Sequence, residues 1–140
     1  MKMEILSSSR RWVDNAKELT DIVTDELDHT AQEVGRIYYG LAKGGSPVDQ
    51  DGDEPGRLKA GWRYRVKRLG RHGRLAELRN DVPYLPYVEY GHRLVVKGKC
   101  VGFVKGRFFV KKARVKTIKK ELPKAYRAMD GRIKGRMGLD

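Results

Sequence analysis

Glu89 and His92 stand three residues apart in the run PYLPYVEYGHR, residues 83–93. A carboxylate beside an imidazole is a pair able to take and return a proton. What such a pair needs is company, and little is offered. His29 falls on the polar side of a long helical segment, and His72 lies in a turn among arginines. No glycine-rich phosphate loop occurs, and no nucleophile has a base near it in sequence. Asp49, Asp51 and Asp53 alternate like the first half of a calcium loop, but Glu54 holds the glycine position and Ala60 the closing glutamate position. Cys100 is the only cysteine, so neither an internal disulfide nor a cysteine zinc cluster is open to the chain. No enzyme activity, metal or cofactor is expected.

The same stretch reads better as a shaped turn. Pro83 and Pro86 fix their own φ and bias Val82 and Leu85 toward extended backbone. Tyr84, Tyr87, Val88 and Tyr90 supply packing area. Gly91 suits a backbone angle closed to other residues. Glu89, set among aromatic residues, needs a donor, either a backbone N–H or an arginine.

The elements around it predict an α+β fold in one domain, residues 1–140. Trp12, Ala16, Leu19, Val23, Leu27, Ala31, Val34, Tyr38 and Leu41 recur at helical spacing, which predicts a long helix from Ser8 or Ser9, capped there, to Ala42. Such a helix is long for a chain of 140 residues, so part of its stripe is expected to face another subunit. Residues 44–56, GGSPVDQDGDEPG, form a long acidic loop, and residues 46–56, without apolar anchors, are expected to be mobile until they meet a neighbour. From Trp62 the period becomes two: Trp62, Tyr64 and Val66 share one face and Arg63, Arg65 and Lys67 the other. GRHG at 70–73 turns the chain into a returning strand, and residues 94–104 read as a second hairpin, giving a small antiparallel sheet. Ala113, Ile118, Leu122, Ala125 or Tyr126, Met129, Ile133 and Met137 mark a basic C-terminal helix. It should kink or break near Pro123.

Charge is divided unevenly. Residues 1–54 carry 6 basic and 12 acidic side chains, and residues 55–140 carry 25 and 6. The net charge of +13 suits nucleic acid, and the opposed halves suit copies meeting head to tail. No apolar run is long enough to span a membrane, and the N-terminus lacks the apolar core of a signal peptide.

Three stretches together resemble the tail-component (tail-completion) family of long-tailed bacteriophages. They are SPVD at 46–49 with GRLKAGW at 56–62, then NDVPYLPYVEYGHR at 80–93, then GRFFVKKA at 106–113. One departure is plain: the family runs Asp-Thr-Gly without a gap, whereas QDGDEP separates Asp49 from Gly56 and the threonine is missing. The resemblance implies a structural virion protein of the neck, assembled as a ring, six copies around the DNA passage, beside neck and tail-tube proteins. It would reside in the host cytoplasm during assembly, and contact with packaged DNA would be non-specific. Pro83, Tyr87, Glu89 and Gly91 are then the structural turn. Asp49, Asp51, Asp53, Arg57, Arg63, Arg65, His92, Arg93, Lys111 and Arg114 are candidate interface residues. The competing reading is a stand-alone basic nucleic-acid-binding protein. Trp62 and Tyr64 count against it, because they lie opposite the arginines and cannot form a stacking platform beside them.

Overall fold

A computed structural model describes residues 2–49 and 54–139, with side chains from residue 9 onward. Helix α1 runs Lys2–Gly45 over 44 residues, a rod of about 66 Å at helical rise. It begins before the expected serine cap, because Ser8 and Ser9 are tolerated inside a helix when good helix formers precede them. The one-turn helix α2, Arg57–Ala60, follows the loop. Strands β1 (Trp62–Leu69) and β2 (Gly73–Asn80) pair antiparallel, from Trp62 opposite Asn80 to Leu69 opposite Gly73. Their Tyr64 and Val66 face lies on α1 as the alternation requires. Gly35 allows the approach: a Cβ there would lie 3.2 Å from Tyr64 Cδ2 and 3.3 Å from Val66 Cγ2.

The second hairpin does not join this sheet. After the short helix α3 (Leu85–Tyr90), β3 (Gly91–Val96) and β4 (Lys99–Lys105) form a separate two-stranded sheet. The expected single sheet is thus two, since α3 stands between the hairpins and redirects the chain. The tip is the left-handed pair Lys97 (φ 51°) and Gly98 (φ 77°), the backbone that tight hairpins favour. Leu94 pairs with Gly102 and Val95 with Cys100, which leaves Val101 as a bulge.

The C-terminal rod comprises α4 (Phe109–Lys116), a π-helical turn (Thr117–Glu121) and α5 (Leu122–Arg136). Leu122 N–H donates to the Thr117 carbonyl, five residues back. Near Pro123 the helix widens into this turn and continues. Pro123 has no N–H and would crowd the carbonyl four residues earlier, and a wider turn relieves both problems. It also shifts the phase: Thr117 is buried, while Ile118, expected in the stripe, is 50% exposed.

Ala42, Leu58, Trp62, Val82, Phe109 and Ala113 make the core, with Trp62 edge-on to Phe109 at 6.3 Å between ring centroids. The core lies at the C-terminal end of α1. At the other end the stripe outruns its cover: residues 9–21 are exposed, Trp12 to 74%. Among the described residues no helix is long and apolar enough to cross a membrane.

Candidate assembly site

Glu89 is buried, 3% exposed, and its donors are backbone groups rather than an arginine. Oε2 accepts from Val110 N–H at 3.0 Å and Oε1 from Lys111 N–H at 2.9 Å. These are first-turn amides of α4, unpaired within the helix and at its positive end. The main chain repeats the link, since Val88 and Glu89 carbonyls accept from Arg107 N–H at 2.9 Å and Phe108 N–H at 3.1 Å. So α3, the exit of β4 and the start of α4 are clamped at one point.

Glycines make that closeness tolerable. Gly91 has φ 87° and ψ 173°, a region almost restricted to glycine. A Cβ there would lie 2.3 Å from the Val104 carbonyl oxygen, and one on Gly106 would lie 2.3 Å from the Glu89 carbonyl oxygen. The two strands enter and leave the clamp backbone against backbone.

Two further joints involve residues of these stretches. Trp62 Nε1 donates to Ser46 Oγ at 2.7 Å, and Ser46 Oγ donates to the Ala42 carbonyl at 2.8 Å. That fastens β1 to the end of α1. Asn80 Nδ2 donates to the Leu58 carbonyl at 2.7 Å, and its Oδ1 accepts from Val82 N–H at 3.0 Å. The start of the loop therefore has a polar anchor at Ser46.

A family model described as "Bacteriophage HK97-gp10, putative tail-component" matches residues 11–91. The chain belongs to this phage tail-component family. No curated protein and no solved structure matched it. The match to the tail-component family spans the Ser46–Trp62 and Asn80–Val82 joints and ends at Gly91. The α4 amides that Glu89 holds thus lie beyond the matched segment.

Among the described residues, the predicted interface residues of this tail component are spread over the loop shoulder, α2, β1, β3 and α4. Tyr87, His92 and Asp49 line a groove of about 390 Å³ between α3, the hairpin base and the loop shoulders, with Pro83 exposed just before α3. His92 sits edge-on to Tyr87 at 5.9 Å. Asp51 and Asp53 lie outside the described residues. Arg57 pairs with Glu54 at 2.9 Å. Arg63 is exposed on β1, and Arg65 is engaged across the sheet by Glu77. Arg93 is exposed on the hairpin. Lys111 reaches over the Phe108 ring at 5.9 Å. Arg114 is exposed and opposes the rise that burial imposes on the Tyr38 phenol.

Sequence reasoning missed the arginine–carboxylate ties along α1. Arg132 Nε donates to Glu26 at 2.6 Å and its Nη2 to Thr30 at 3.0 Å, while Arg136 reaches Glu26 and Asp25, each at 3.3 Å. Two arginines of the basic C-terminal helix are thus tied to acids of α1. On the sheet side Asp28 accepts from Arg68 and Arg74. The only sequence signal was the acids that border the apolar stripe of α1.

These ties set an acid limit. The Arg132 hydrogen bond lowers Glu26 below its ordinary 4.5, the Arg68 hydrogen bond lowers Asp28 below 3.8, and the Arg65 hydrogen bond lowers Glu77. A depressed carboxylate stabilises the fold fully above its unfolded value and loses that contribution as pH falls through the folded one. The melting temperature should hold between about pH 7 and 5 from these groups, then fall below about pH 4. Asp28→Asn should make the acid slope shallower. Melts of both proteins across this range check it, and identical slopes would count against the tie.

Proposed function

We propose that this tail component works at the head–tail junction, as a neck, tail-completion or tail-terminator protein. It assembles there as a ring of six copies at the head-proximal end of the tail, against neighbouring neck and tail-tube proteins. It forms in the host cytoplasm and ends in the virion. The observation that carries the reading is the coincidence of family and geometry: the stretches matching the tail-component family build the joints that hold the elements together. No catalytic role is assigned to Glu89, whose two carboxylate oxygens both accept backbone N–H groups.

Lys111, Lys112, Arg114, Lys116, Lys119, Lys120 and Arg127 stay exposed on the C-terminal rod. They suit phosphates of passing DNA or acidic faces of neighbours, without sequence readout. The test has two arms. Mass spectrometry and antibody labelling of purified particles should place several copies at the neck; a single copy, or none, would sink the ring. Duplex binding by the free protein should be weak and should fall by about 10³-fold or more between 50 and 200 mM salt if six or more phosphates are engaged. Tight binding to one sequence at the higher salt would favour a nucleic-acid-binding protein instead.

A further inference from the structure

The overhang of α1 and the β1–β2 turn enclose an open groove of about 760 Å³. Part of its wall is apolar, with Trp12 74% and Val13 46% exposed. Around these stand four cations: Lys17 of α1, Arg68 of β1, Arg71 of the turn and Arg74 of β2. Two carboxylates answer them. Asp28 is shared by Arg68 and Arg74, and Asp21 lines the groove one helical turn on from Lys17. Among the described residues neither Lys17 nor Arg71 holds a carboxylate. The groove thus keeps an excess of positive charge beside an open indole, which suits an acidic segment that also carries an apolar side chain.

The loop after α1 has that chemistry. Val48 is 47% exposed, and Asp49, Asp51, Asp53 and Glu54 follow without a base among them. Glu54 meets Arg57, but that pair is exposed on both sides and such pairs contribute little. The acids of α1 are answered within the chain, since Asp25, Glu26 and Asp28 hold arginines.

A loop cannot fill the groove of its own chain. Ser46 is fixed to Trp62 and Ala42. Asp51 is five residues further on, so it stands at most about 18 Å from Ser46. The groove begins at Thr24, about 32 Å back along α1 from Gly45, and Trp12 is about 50 Å back.

We infer that the acidic loop of one copy, residues 47–54, docks in the groove between the α1 overhang and the β1–β2 turn of the next. The inference deepens the ring reading and rests on it only for closure of the chain of contacts. The two surfaces belong to opposite ends of α1. Such a head-to-tail contact propagates, whereas a two-fold contact stops at a dimer.

Cys100→Ser removes the exposed native thiol and gives a clean background. In it, full-length protein carrying both Ala16→Cys, in the groove, and Gln50→Cys, in the loop, is oxidised free at high concentration and within particles. A ladder of covalent multimers should form, and either cysteine alone should leave monomers. Lys17→Glu with Arg71→Glu should lower ladder yield about tenfold or more, because like charges then face each other. Adding Asp51→Lys with Asp53→Lys should restore it. A ladder indifferent to these charges, or abundant dimers from Ala16→Cys alone, would mean that the overhang meets something other than the loop, and would overturn the inference. Absence of any ladder, free and in particles, would overturn it too. If the protein sits in the neck without the cross-link, only this contact fails. If the cross-link forms but the protein is missing from particles, only the tail assignment fails.

Discussion

Gly91→Val should cost about 3–5 kcal/mol, the largest effect of any single substitution considered for this chain. Two causes add. The backbone at φ 87° and ψ 173° is one that a β-branched residue adopts only under strain of about 1–3 kcal/mol. The new Cβ would also meet the Val104 carbonyl oxygen at 2.3 Å and the Gly106 nitrogen at 2.7 Å. Both neighbours are backbone atoms of the clamp and cannot rotate aside. For a domain of this size the melting temperature should fall by roughly 10 °C or more. Gly131→Ala is the natural control, since Gly131 lies within α5 and a Cβ there meets nothing within 4 Å. That change should raise stability by up to about 1 kcal/mol. A Gly91→Val protein melting within two degrees or so of the parent would refute the clamp geometry.

Glu89→Gln comes next. Glutamine keeps the shape but offers one acceptor oxygen, so one of the Val110 and Lys111 N–H groups would face an NH₂ group. The charge that complements the α4 N-terminus is lost as well. About 1–3 kcal/mol should go, the range for a buried hydrogen bond to a charged group. Glu89→Ala should cost more, because both amides lose their acceptor and a void replaces the side chain. Thermal and urea melts of the pair measure this. Equal stability of Glu89→Gln and the parent would mean the carboxylate does something other than hold the helix.

Much of this was legible in the chain itself. The period-two run from Trp62, the turn at 70–73 and the glycine at 91 each obey local rules, because strand alternation and positive φ are written in neighbouring residues. Glu89 was recognisable as a group needing a donor. That the donors would be Val110 and Lys111 N–H was not, since they lie 21 and 22 residues away and amides carry no residue identity. The tie of Arg132 and Arg136 to α1 was hidden for a related reason. They meet partners more than 100 residues distant, and a basic helix looks the same whether or not two of its charges are matched. The split into two sheets depended on α3, whose six residues include two tyrosines and a proline that suggest a turn as readily as a helix.

The π turn at Thr117–Glu121 makes sequence length act as direction. An α-helix rotates about 100° per residue, and the buried positions Phe109, Ala113, Thr117 and Ala125, stepped in fours, would wind steadily around an unbroken helix. The wider turn takes that winding back and delivers Arg132 to Glu26. Removing one residue there would swing everything downstream by roughly the same 100°. Arg132 and Arg136 would then leave Glu26, a carboxylate 7% exposed, without its cations. The two halves of the C-terminal rod are geared to each other through this turn, so a change of one in its residue count is felt at the far end as a rotation.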